Sequence, residues 1–213
     1  MAPELAARLL DAAVATIREH AEELTALDQA IGDGDHGLNM RRGFDAIAAA
    51  RDELAHLPLG QALQKAGMAL VMKVGGASGP LYGSLLMAMG KAAPEVLDGP
   101  ADLAAMLTDG VEAVRKHGRS DAGEKTMLDV LVPALNALRA GAKDGLGEAD
   151  LIARVRAAAD EGLSATRNMK ATKGRASYLG ERSIGHLDPG ARSSALLIAA
   201  VCDVLAGEGS SDA

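Results

Sequence analysis

The chain has 213 residues, 48% of them hydrophobic, with only Phe44, Tyr82 and Tyr178 as aromatics and no Trp. Its apolar mass is therefore aliphatic, the material of helices in close contact, and a single domain over residues 1–213 is expected. A formal net charge of -7 argues against nonspecific nucleic-acid binding, which needs a surplus of Lys and Arg facing phosphate.

The first twenty residues repeat Leu5, Leu9, Ala12, Ala13 and Ile17 at helical spacing. Glu4, Arg8 and Asp11 interrupt that pattern, so it does not resemble a signal peptide, and a cytoplasmic protein is expected. A polar helix follows over 21–27, then a helix starting near Leu38 that carries Phe44, Ile47, Ala48 and Leu54. Further helices are predicted around Leu63–Val74, Leu81–Met89, Leu103–Val114, Leu128–Leu138, Ile152–Ala159 and Leu197–Val204, about eight principal helices in all. Pro133 predicts either a kink or a later first turn in the helix that contains it. The longest apolar run, Ala195–Cys202, falls well short of the roughly 20 residues of a membrane span, so no membrane contact is expected. Cys202 within it reads as a small buried hydrophobe. Gly141–Gly147 reads as a surface loop, and Gly207–Ala213 as a frayed tail.

The chemistry concentrates in the breaks. Asp28, Asp33 and Asp35 crowd into eight residues with no basic residue among them. Such carboxylates repel one another, and a divalent cation is the simplest way to hold them together. Hard oxygen ligands favour Mg²⁺ or Ca²⁺ over Zn²⁺. An EF-hand begun at Asp33 fails, because its sixth residue is Leu38 and its twelfth is Phe44. Mg²⁺ shared with substrate phosphates is the better reading.

Two near misses border that reading. Gly32–Gly37 spells the glycine pattern of a dinucleotide loop, but polar helix precedes it and two carboxylates sit inside it. Gly118–Thr126 approaches a P-loop, yet Glu124 separates Gly123 from Lys125 and no strand leads in. Gly75–Pro80 can hold an anion at a helix start or be a plain tight turn, and the same choice applies to Asp188–Gly190. Lys173–Arg182 reads equally as a phosphate clamp or a solvated basic face. His36 and His186, each beside Gly and near Asp, read first as capping or hydrogen-bonding residues.

Taken in order, D-x(4)-D-x-D-H-G-x-N from Asp28, G-G-A-S-G-P-L-Y-G from Gly75, G-E-K-T-M-L-D from Gly123 and the stretch from Lys173 to Ala191 resemble one family. It is the nucleotide-binding L subunit of bacterial dihydroxyacetone kinases. Gly34 and Glu124 stand where relatives often carry Ala and Asp, which leaves the ligand positions intact. The resemblance implies an all-α fold, an antiparallel barrel of eight helices with nucleotide at one end. It implies that Asp28, Asp33 and Asp35 hold two Mg²⁺ ions that bridge the phosphates of ADP or ATP. His36, Gly37, Leu38 and Asn39 would form a helix-start contact, Ala77 and Ser78 would meet the phosphates, and Gly118, Thr126 and Met127 would line the adenine side. Arg175, Asp188, Pro189 and Gly190 would complete the site.

The family's chemistry needs no nucleophile on this chain, since the residue that fixes the ketone lies on a K subunit. The resemblance implies a resident ADP recharged by a phosphohistidine carrier of the M type, with dihydroxyacetone on the K subunit as acceptor. An ATP-dependent ketose kinase with exchangeable nucleotide and a nucleotide-sensing regulatory subunit are the alternatives. A transcriptional regulator and a second copy of the chain are further candidate partners.

Overall fold

A computed structural model describes residues 1–209. Its elements are α1 (Pro3–Glu19), α2 (Ala21–Ile31), α3 (His36–Ala49), α4 (Arg51–His56), α5 (Leu59–Lys73), α6 (Ser78–Ala92), α7 (Pro100–Gly118), α8 (Leu128–Asp144), α9 (Glu148–Thr166), a 3-10 segment (Arg175–Ser183) and α10 (Pro189–Gly209). No strand occurs among the described residues. Helix α1 packs on α3, α3 on α5, and each of α5 to α9 on the next, until α10 returns to α1. Eight helices thus close the ring that the family resemblance implies. Helix α2 lies against α3 and α10, and the short α4 spans α1 and α5.

Ile17, Leu24, Met40, Phe44, Leu70, Val111, Leu128 and Leu131 fill the middle of the ring. Short connections make neighbours antiparallel, so helix starts and ends alternate around the ring. One end therefore gathers the starts of α3, α6, α8 and α10.

Several elements differ from the sequence pattern. The apolar run from Phe44 to Leu54 is not one helix, because Ala50 breaks it at φ -102° and ψ 8°. That turn lets α4 set Ala55 against Ala6 and Ala7. Pro133 lies well inside α8, whose first turn starts at Leu128. Gly141 belongs to α8 and not to a loop, and a Cβ there would come within 2.4 Å of Leu151 Cδ1. Pro80 is the third residue of α6, not the first. Cys202 is buried without a disulfide partner, as expected. Helix α10 runs through Gly209, into the segment expected to fray, and 210–213 lie outside the described residues.

The expectation of no membrane-length helix needs correction. Pro189–Gly207 is long and apolar enough to cross a membrane by length and composition, with a mean hydropathy of 1.4. The run Ala195–Cys202 understates it because the Ala, Gly and Ser residues around that run add little polarity. In this fold α10 packs on α1, α2, α8 and α9.

A close glycine seam joins α5 to α6. A Cβ on Gly67 would lie 2.7 Å from the Gly83 carbonyl oxygen, and one on Gly83 would lie 2.8 Å from that of Gly67. Gly60 and Gly90 repeat the arrangement one heptad away, at 2.6 and 2.5 Å. Backbone meets backbone here, so moving neighbouring side chains aside would not by itself make room for a Cβ. Gly83→Val is expected to lower unfolding free energy by about 2 kcal/mol or more, read from urea denaturation. A variant as stable as the parent would show that the two helices can part without cost.

Candidate metal and nucleotide site

The α2–α3 turn brings Asp28, Asp33 and Asp35 together. One carboxylate oxygen from each lies within 4.8 Å of the others, with Asp28 buried and the other two exposed. Asp28 Oδ2 accepts the backbone N–H groups of Asp35 at 2.9 Å and His36 at 3.1 Å, which ties the end of α2 to the start of α3. Gly32 leaves room for the other oxygen: a Cβ there would sit 2.0 Å from Asp28 Oδ1. Asp33 pairs with the guanidinium of Arg175 at 2.9 Å. That pair is exposed and worth little by itself. Three clustered carboxylates suit a small hard cation such as Mg²⁺.

A buried chain of hydroxyls joins three of the helix starts. His36 Nδ1 lies 2.9 Å from Ser78 Oγ, and its Nε2 lies 2.9 Å from Ser193 Oγ. The Tyr82 hydroxyl is 2.8 Å from both Ser193 Oγ and Ser194 Oγ, and 3.3 Å from the Gly190 carbonyl that it can donate to. The ring is satisfied if Ser78 donates to Nδ1 and Nε2–H donates to Ser193, whose own proton then goes to the Pro189 or Gly190 carbonyl. Burial pushes the His36 imidazole below its usual range, against the pull of Asp28 and Asp35, so it is neutral at pH 7. Burial likewise pushes the Tyr82 phenol up to about 12. The chain therefore runs on neutral donors and acceptors. No buried side-chain nitrogen or oxygen among the described residues lacks a partner.

Each helix start is shaped by its own sequence. Pro189 opens α10, and Asp188 caps it by accepting the Ala191 N–H at 2.7 Å. The Gly75–Gly76 turn before α6 lies against Asn39, since a Cβ on Gly75 would be 2.9 Å from Asn39 Oδ1. Ala77 precedes α6 and Ser78 begins it, with the Ser78 hydroxyl committed to His36 instead of capping its own helix. Asp129 accepts the N–H groups of Gly123 and Thr126, which folds the 118–127 loop onto α8. Met127 reaches the α10 start, where a Cβ on Gly190 would be 3.6 Å from Met127 Cβ.

The predicted residues thus assemble at one end, in unequal parts. Gly37 serves packing, because a Cβ there would strike the Ala21 carbonyl at 1.9 Å. Leu38 is exposed with no polar partner of its own side chain. Thr126 turns its hydroxyl inward to accept the Leu128 N–H at 3.2 Å. Gly118 ends α7 beside Leu81 of α6. Sequence reasoning missed Ser193 and Ser194, and gave no role to Tyr82, Lys125 and Asp129 although its motifs contain them. Two adjacent serines near the start of a largely apolar helix were the available signal for Ser193 and Ser194. Clefts of about 550 and 500 Å³ lie away from this end, between α7 and α8 and along α4 and α5.

A DAK2 domain profile matches residues 30–203. The chain belongs to the DAK2 domain family. A Listeria innocua protein named PEP-dependent dihydroxyacetone kinase 1, ADP-binding subunit DhaL, is 49% identical over 185 residues, covering 87% of this chain and 88% of that one. The Escherichia coli K12 PEP-dependent dihydroxyacetone kinase, ADP-binding subunit DhaL, is 43% identical over 175 residues, covering 81% and 83%. Among solved structures, the native dihydroxyacetone kinase of C. freundii superposes with a TM-score of 0.76 at 26% identity over 94% of this chain. Its complex with AMP-PNP and Mg²⁺ gives a TM-score of 0.73. The DAK2 chain spans 34% of that enzyme's length, about a third.

The hydroxyl chain yields a direct expectation. Tyr82→Phe keeps the ring packing but leaves buried Ser193, Ser194 and Gly190 groups short of a partner, at a cost of about 1–3 kcal/mol. Urea denaturation would measure it, and an unchanged midpoint would show that those groups find other partners.

Proposed function

We propose that the chain is the ADP-binding L subunit of a dihydroxyacetone kinase, one L-type unit over its whole length. In this reading a phosphoryl group passes from a phosphohistidine carrier of the M type, through a resident adenine nucleotide, to dihydroxyacetone held on a K subunit. The observation that carries it is the gathering of three carboxylates at the end of the ring where four helices start. Helix starts present a positive dipole end to phosphates, and the carboxylates supply what a phosphate-bound cation needs.

Asp28, Asp33 and Asp35 would hold two Mg²⁺ ions. When bound, these neutralise charge on the transferring group and hold donor and acceptor oxygens in line. The protein contributes position. The starts of α3 and α6, with His36–Asn39 and Ala77–Ser78, face the phosphates, and Arg175 can exchange Asp33 for a phosphate oxygen. Gly118, Thr126, Met127 and the Asp188–Gly190 cap line the nucleotide's other side. In this reading the residue that fixes the ketone belongs to the K partner. A cytoplasmic location fits a subunit whose donor and acceptor proteins are themselves soluble carriers and kinase subunits.

The phosphoryl donor has two readings. The relatives at 43–49% identity are named PEP- or PTS-dependent, which supports the carrier. The C. freundii enzyme, at 26% identity, was solved with AMP-PNP, which supports exchangeable ATP as the second reading. Purified protein should carry ADP through gel filtration, and turnover with a K subunit should need phosphoenolpyruvate and carrier proteins. Turnover on ATP alone with rapid ADP loss would establish the second reading. Absence of transfer with any K partner would instead favour a nucleotide-sensing regulatory role.

Asp33→Ala and Asp35→Ala should each weaken Mg²⁺-dependent ADP retention by about 100-fold or more, beyond the loss typical of an outer-shell partner. Both lie on an exposed turn, so helicity by circular dichroism should hold. Tight retention in both variants would remove the metal assignment.

A further inference from the structure

Lys125, the lysine of the broken P-loop pattern, does not point toward the carboxylate cluster. Its side chain is 1% exposed, and its ammonium donates to the carbonyls of Thr166, at the end of α9, and His186, just before α10. The same Thr166 accepts the Asp188 N–H through its hydroxyl at 3.2 Å. One cation thus ties the 118–127 loop to the chain that leads into the α10 start.

The backbone adds an independent observation. Lys125 has φ +63°, a left-handed conformation that Gly adopts without strain and Lys does not. Arg119, in the same loop, also has positive φ, at 47°. A non-glycine residue persists in that region only where its surroundings over-determine it. Here the surroundings are the two carbonyls and the buried carboxylates of Asp188 and Asp129.

We propose that Lys125 is a positioning residue for the nucleotide, its buried ammonium holding the 118–127 loop and the Asp188–Pro189–Gly190 helix start in register with each other. The inference rests on the nucleotide reading above. Met127 meets Gly190 across this junction, so the loop and the cap can serve one ligand only while they stay in register. The cation also sets the charge of the cap. Asp188 faces Asp129 and Lys125, with the N–H groups of Gly190 and Ala191 on its carboxylate, and burial pushes it up to about 7. Lys125 opposes that rise and favours the ionised carboxylate, the better acceptor at a helix start. Arg167 and Asp129 are the other charged groups that act on Lys125.

Mg²⁺-ADP binding should be measured by calorimetry on the full chain and on Lys125→Gly and Lys125→Met, from about pH 6 to pH 9 around the Asp188 transition. Lys125→Gly relieves the backbone while deleting the ammonium, so a residue that only shapes a turn would bind as well as the parent. The expected result is a loss of about tenfold or more in both variants. In Lys125→Met the pH midpoint of binding should also move up, because Asp188 loses its cation. Affinity within twofold of the parent in Lys125→Gly, or an unmoved midpoint in Lys125→Met, overturns the inference. Failure of the parent to bind Mg²⁺-ADP takes the nucleotide reading down with it, which separates the two. If either variant does not fold, acetylation of the native protein decides: labelling of Lys125 should slow on adding Mg²⁺-ADP while that of Lys65 on α5 does not, and equal rates at Lys125 sink the inference.

Discussion

Everything at the working end of this molecule depends on one neutral imidazole bonded on both sides. His36 sits at the start of α3 and reaches Ser78 at the start of α6 and Ser193 near the start of α10. Those helices come from distant parts of the chain and have their own reasons to pack, all apolar and none directional. Hydrophobic burial would tolerate small slides of one helix past another, whereas a buried hydrogen bond tolerates almost none without leaving a group unpaired. Tyr82 extends the same constraint to Ser194 and the Gly190 carbonyl. The starts of α3, α6 and α10 are thereby tied to one another by directional bonds.

That arrangement also explains how three carboxylates coexist. Asp28 is held by two backbone donors from the α3 start, so its position is part of the fold and does not wait for a ligand. Asp33 and Asp35 stand on the exposed turn above it, where water and Arg175 moderate their charge. A buried acid fixed by backbone donors thus lies below two solvated ones. The tight Gly67–Gly83 and Gly60–Gly90 seam serves the same end from outside, since it sets how α5 delivers the Gly75–Gly76 turn to Asn39.

Much of this was legible in the residues. Helical periodicity located the eight ring helices, because each buries one face against the centre and so repeats at three to four residues. The aspartate cluster announced itself because no core asks for such a pattern. Less legible were features that periodicity does not encode. Ala50 carries no break signal, and α3 and α4 part there because Ala55 has a place against Ala6 and Ala7. Gly141 reads as loop composition, yet it is helix interior because Leu151 needs its space. Helix α10 escaped a test built on uninterrupted apolar runs, since Ala, Gly and Ser dilute the run without making it polar.

By itself the sequence determined the helical class, the Asp28–Asp33–Asp35 cluster and the Gly-rich breaks, all set by local composition and spacing. It also carried the resemblance that the DAK2 match bears out. Only the tertiary structure decided which helix starts meet and what holds them. Ser78, Tyr82 and Ser193 become one hydrogen-bonded chain through contacts spanning up to 157 residues, and Lys125 turns inward to two carbonyls. No local pattern records such pairings, because a hydroxyl or an ammonium is satisfied by whatever partner the closed ring brings within reach.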